Sequence, residues 1–174
     1  MTKSYVVDPA TGKLLTAQEW KDKAGDKVTD AKMIAIVPDD GSSAFAMPVE
    51  TFKLMNWKNA MAFTKDYKAP HAVDGSDGSF ALPSRKQAVD IRMARENQLC
   101  ELLDLIGAKN LKVEMSGKWT WTSEKYIPAD MSKEESVRYA SGDAWYYHYG
   151  GMSYSAGFAY ELAVRPVTLL KLNS

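Results

Sequence analysis

Apolar and polar residues change their rhythm several times along the chain, and each change predicts an element. Over "AKMIAIV" (31–37) the apolar positions run with period two, Met33, Ala35 and Val37 on one side and Ile34 and Ile36 on the other. The turn "PDDG" separates this run from "SAFAMPV" (43–49), so the two predict a β-hairpin. In "NWKNAMAFTKDY" (56–67) the spacing becomes helical, with Trp57, Ala60, Met61, Thr64 and Tyr67 on one face and Asn56 as N-cap. Ser84, with Gln87 three residues on, has the capping-box pattern of a second helix start. Its apolar stripe runs through Ala88, Ile91, Leu99, Leu102, Leu103 and Ile106, with a break near Arg95, to Gly107, which suits a C-terminal cap.

Elsewhere the pattern is weaker. Residues 1–26 hold "YVV", the turn "DPATGK" and "LLTAQEW", which predict a hairpin-like or strand–turn–helix appendage to a main domain over 27–174. "KAPHAVDGSDGS" reads as a polar loop, and "KVEMSGKWTWTSEKY" (112–126) as a return to β structure. "IPADMSKEESVRYASGD" (127–143) is a charged insertion longer than most loops, with Lys133, Glu134, Glu135 and Arg138 as a solvated face. After it, "AWYYHY", "GGMSYSAG" and "FAYELAVRPVTLL" predict strand, turn-rich segment and strand.

The stretch 144–160 raises the functional question. It packs seven aromatic rings into seventeen positions and contains no Val, Ile or Leu, unlike a core strand. Tyr mixed with Ser, Gly and Ala is the vocabulary of binding loops, where rigid rings supply contact area and small residues supply fit. The sequence thus offers a candidate binding face.

Charge and composition narrow the partners. Lys plus Arg and Asp plus Glu each number 22, so no global field favours nucleic acid or an acidic membrane. The length of 174 residues supports one main core without staples. Cys100, the single cysteine, falls in an apolar-periodic segment and reads as a small buried hydrophobe. "MTKSYVVDPATGKLL" lacks an apolar run long enough for a signal peptide or membrane span, so no membrane insertion is expected. The sequence leaves the location open: extracellular or virion-associated if a leader was removed or release is by lysis, otherwise cytoplasmic.

Known catalytic and metal patterns are missing from the sequence. His71 and His148 are the only histidines, and neither HExxH nor CxxC occurs. "DGSDGS" (74–79) looks superficially like a calcium loop, but its twelfth position is Arg85, where an EF-hand needs a bidentate Glu. "GMSYS" fails the nucleophile-elbow pattern at Ser155, and no GxGxxG or GxxxxGK[ST] is present. The reading is no metal, no cofactor and no catalytic residues.

Four landmarks in order, "MNWKNAMAF", "GSFALPSRKQAVDI", "WTWTSEKY" and "AWYYHYGG" closing with "AVRPV", resemble those of Lcl C-terminal-type domains. These belong to the formylglycine-generating-enzyme-like branch of the C-type lectin fold, together with variable proteins of diversity-generating retroelements and phage tropism determinants. The resemblance covers roughly residues 30–170 and implies an α+β fold with two or three helices packed on small antiparallel sheets. There are departures: Ala81 stands where the family has arginine, only Cys100 is present where the enzyme branch uses a cysteine pair for copper, and the EPN, QPD and WND motifs of calcium-dependent lectins are absent. The resemblance therefore implies a scaffold used for binding, without catalysis and without calcium-chelated sugar.

By that resemblance Trp145, Tyr147 and Tyr149 face inward, whereas Tyr146 and His148 face out, and Met152, Ser153, Tyr154, Ser155, Phe158 and Tyr160 continue the exposed patch. Trp57, Trp119, Trp121 and Trp145 are expected as core rings, and Arg165 as a scaffold tie to buried carbonyls or a carboxylate, with Asp143 or Asp90 as partners. The expected function is a non-enzymatic ligand- or receptor-binding protein, such as a retroelement variable protein or phage receptor-recognition module, whose partner is a protein or glycan on a cell surface. The alternative is a structural or assembly subunit of a virion or surface appendage, with the aromatic face as a homo-oligomer interface.

Overall fold

The computed structural model describes residues 1–125, 143–148, 153–157 and 160–172, with the backbone alone over 143–148 and 153–156. The chain is α+β. The larger sheet is antiparallel and five-stranded, in the order β2 (Leu14–Leu15), β1 (Lys3–Val7), β3 (Met33–Val37), β4 (Phe45–Pro48), β8 (Thr168–Leu169). The expected hairpin is β3 and β4, with Ile34 opposite Met47 and Ile36 opposite Phe45.

Both faces of this sheet are covered, which is why its central strands read as nearly continuous apolar runs. Alternation sends Val6, Ile34, Ile36, Phe45 and Met47 into a core shared with Trp20, Ile91, Leu99, Leu103 and Leu111. The intervening Val7, Met33, Ala35 and Ala46 pack on the other side against Phe80 and Leu170. Each fully buried branched side chain such as Ile36 contributes about 1.5–3 kcal/mol.

Residues 1–26, read from the sequence as an appendage, contribute β1 and β2 to this sheet. β1 lies between β2 and β3, and Val6 and Val7 are wholly buried. The local order of strand, turn and helix is as expected: β2 is followed by α1 (Ala17–Ala24), opened by a capping box between Thr16 and Glu19. Two glycines let the 70s loop close on the sheet. Gly12 and Gly75 have φ of 74° and 85°, and a Cβ on either would lie within 3 Å of backbone atoms of Ala72 and Asp74, or of Lys171.

The helices start at the caps that the pattern predicts. Asn56 accepts from the Asn59 amide at the start of α2 (Trp57–Asp66), and Ser84 and Gln87 form the capping box of α3 (Arg85–Ala94). The break near Arg95 is a π-turn over Arg95–Leu99, after which α4 (Cys100–Leu105) runs on towards Gly107, whose φ is 70°. The expectation of β structure from Lys112 is overturned: α5 spans Lys109–Gly117, because Leu111, Glu114 and Met115 fall on one helical face and are buried together. Strand β5 (Trp119–Lys125) begins only after it.

β5 opens a three-stranded antiparallel sheet, β5-β6-β7, with β6 over Asp143–His148 and β7 over Ser153–Gly157. The segment 160–167 joins the two halves. Met55 and Leu162 exchange backbone hydrogen bonds of 3.0 and 2.9 Å, Ala163 bonds Trp119 and Trp121 on its other side, and Val167 pairs with Ala81. Arg165 lies in this segment, 1% exposed, as the expected tie. Among the described residues its partner is not Asp90: Nη1 donates to the carbonyls of Pro48 and Glu50 and Nη2 to Glu114 Oε2, each at 2.7 Å, while the side chain of Asp143, the other expected partner, lies outside the described residues. No helix among the described residues is long and apolar enough to cross a membrane.

Candidate functional site

The small sheet is fastened by two tryptophans. Trp57 Nε1 donates to the Thr122 carbonyl at 2.8 Å, and Trp121 Nε1 donates to the Met55 carbonyl at 2.9 Å. With Ala60, Leu82, Leu162 and Val164 these rings form a separate apolar core beneath β5. Buried indoles need such acceptors, so the pair fixes how β5 sits on the start of α2. Both were expected as core rings, and both are.

Trp119 differs. It was expected in the core, but it is 51% exposed. The period of two puts it on the same face as Trp121, but it stands at the first position of β5, past the end of the apolar core that Trp121 enters. The same strand face therefore supplies one buried and one outward tryptophan. Sequence alone held no signal to separate them.

Other large apolar side chains lie outward along the same seam. Tyr160, at the start of the joining segment, is 65% exposed, and Leu54, next to Met55, is 42% exposed. Val113 on α5 is 65% exposed, and with Leu54, Phe52, Lys53 and Lys118 it borders a recess of about 330 Å³. Behind that recess Phe52 stacks edge-on with Phe63 and Tyr67, and the Arg165 guanidinium lies 5.8 Å from the Phe52 ring centroid. Burial raises the Tyr67 phenol above its ordinary value and the Glu50 carboxylate adds to this, with Arg165 opposing.

Of the sequence-predicted site residues, Tyr160 alone is described with its side chain. Tyr160 is outward, as expected. Tyr146 holds the backbone register position opposite both Trp121 and Tyr154, and His148 the position opposite Trp119. Ser153 pairs with Tyr147 and Ser155 with Trp145. The side chains of Tyr146, His148, Ser153, Tyr154 and Ser155 lie outside the description, as do Met152 and Phe158 altogether. The residues that sequence reasoning missed are Trp119, Leu54 and Val113.

This arrangement can supply flat, rigid apolar contact with lysines at its margin, which suits stacking against a ring or an apolar side chain. Among the described residues no group of three or more His, Cys, Asp or Glu side chains could hold a metal ion. No family model, curated protein or solved structure matches the chain.

Proposed function

We propose that this protein is a non-enzymatic binding protein of C-type-lectin-like architecture, in the formylglycine-generating-enzyme-like branch, that engages a protein or glycan on a cell surface. The contact surface comprises Trp119 and Tyr160 together with the segment 146–158 that includes Tyr146, His148, Met152, Ser153, Tyr154, Ser155 and Phe158. The observation that carries the reading is the outward placement of Trp119 and Tyr160 on either side of a hydrogen-bonded seam, in a chain with ample interior for aromatic rings. Exposed aromatic patches mark contact sites because leaving such rings in water costs free energy that a partner recovers. The ordered sequence landmarks support the fold half of the proposal.

The test is binding of fluorescently labelled protein to a glycan array and to a panel of intact bacterial cells. The parent protein binds at least one of these surfaces, binding survives EDTA, and Trp119→Ala/Tyr160→Ala weakens it about tenfold or more at unchanged far-UV circular dichroism. Equal binding by parent and variant, or a parent that binds none of them, contradicts the proposal. Among the described residues β7 is the last strand of the small sheet, which favours a second reading, an assembly subunit that pairs edge to edge. Sedimentation separates the two: a monomer supports the binding protein, and a stable oligomer dispersed by a proline in β7 supports the subunit.

A further inference from the structure

A second cleft lies far from the small sheet in the chain, where the turn 8–13, α1, the 3-10 turn Gly25–Asp30 and the loop at 70–71 meet. Its volume is about 480 Å³, within the ordinary range for small-molecule sites. Its wall is apolar: Trp20, 5% exposed, with Pro9, Pro70 and Ala24. Trp20 Nε1 is satisfied by the Val28 carbonyl at 3.0 Å, so the ring offers the cleft no free donor. The cleft is preformed, because the Asp74 amide donates to the Gly12 carbonyl at 2.9 Å and fastens the 70s loop to the turn.

The polar groups in this cleft are few and specific. Lys23 is already held by Asp8, a carboxylate that also accepts from the Ala10 amide and the Thr11 hydroxyl. Lys27 and Lys32 remain at the rim against Asp30, so the lining holds three lysines to two aspartates. His71 Nδ1 lies 2.9 Å from the Ala72 carbonyl, which can only accept, so Nδ1 carries the proton of the neutral ring. Nε2 then presents a lone pair, and it is buried without a hydrogen-bond partner among the described residues. A buried acceptor without a donor is a cost that a ligand can remove.

We propose that this cleft binds a small aromatic acid carrying a hydrogen-bond donor. The ring packs on Pro9, Pro70 and Ala24, with the largely covered Trp20 as the floor beneath them, the anion sits between Lys27 and Lys32, and the donor meets His71 Nε2. This site is independent of the aromatic surface at the small sheet.

The probe is 8-anilinonaphthalene-1-sulfonate, which has an aromatic body, one anion and one N–H, titrated into the full chain and followed by fluorescence and by amide chemical shifts. Its uncharged relative N-phenyl-1-naphthylamine serves as the control. Shifts concentrate at residues 8–10, 20–32 and 70–72, Lys27→Glu/Lys32→Glu weakens the sulfonate about tenfold, and the same variant leaves the uncharged control within about twofold. His71→Leu, which keeps the volume but not the acceptor, weakens both probes. The proposal is overturned if the sulfonate does not bind, if the shifts fall instead around Leu54, Val113 and Trp119, or if the lysine variant binds it as the parent does.

Discussion

Arg165 is where the account of the scaffold is most exposed to test. Its guanidinium, 1% exposed, holds the carbonyls of Pro48 and Glu50 and the Glu114 carboxylate, 5% exposed, and so ties β4, α5 and the joining segment at one point. Arg165→Met removes the cation but leaves the carboxylate buried. Breaking a buried pair from one side costs about 3–5 kcal/mol, because the remaining charge is uncompensated. For a chain of this length each kcal/mol lowers Tm by about 2–4 °C, so the expected fall is roughly 10 °C.

Arg165→Met/Glu114→Leu separates charge from packing. With neither charge present, the double variant recovers about 2 kcal/mol relative to Arg165→Met, although the two carbonyls still lack a donor. Urea unfolding followed by tryptophan fluorescence measures both, with calorimetry for Tm. A cost for Arg165→Met below about 1 kcal/mol would refute the reasoning, since exposed pairs give that value. So would a double variant as unstable as the sum of the two singles, because it would show no coupling between the partners.

Two further predictions address how the sheet is closed and how it responds to acid. Gly75→Ala places a methyl 2.5 Å from the Lys171 carbonyl oxygen at a φ of 85°, so it costs more than about 1 kcal/mol and speeds exchange of the Lys171 amide, which donates to the Gly75 carbonyl. Gly25→Ala, also at positive φ but in open space, is the control, and equal losses at the two positions would contradict this account. At Asp8, burial favours the protonated carboxyl, but Lys23, the Ala10 amide and the Thr11 hydroxyl together outweigh it and hold the group below its ordinary value. Its stabilisation is therefore present above the unfolded value of about 4 and lost as pH falls through the lower folded one. Asp8→Asn flattens the acid limb of the Tm–pH curve there, and an unchanged limb would contradict the assignment.

What the sequence made legible was local. Asn56 and Ser84 were readable as caps because a short polar side chain before an apolar stripe has one efficient use, and both accept the amide expected. The β3–β4 hairpin was readable from its alternation and turn. Long-range pairing was not. Nothing near Lys3–Val7 reveals that β3, some thirty residues on, will take it as a neighbour and bring β1 and β2 into the main sheet.

α5 was hidden for a related reason. "KVEMSG" is followed at once by "WTW", and the β composition of the second run masks the helical spacing of Leu111, Glu114 and Met115. Glu114 itself finds its partner 51 residues away, at Arg165. The role of Arg165 could be read from a lone cation among apolar neighbours, but the identity of its carboxylate could not. For the candidate site, the run of rings near the carboxyl end was visible, yet the outward position of Trp119 depends on where β5 begins relative to the core.

The most direct measurement of the binding-surface claim is oxidative footprinting of the protein bound to the cells or glycan that it recognises. Labelling of Trp119 and Tyr160 slows several-fold on binding, with Leu54 following and Val89 on α3 unchanged. Undiminished labelling of Trp119 and Tyr160 in the bound state would contradict that claim.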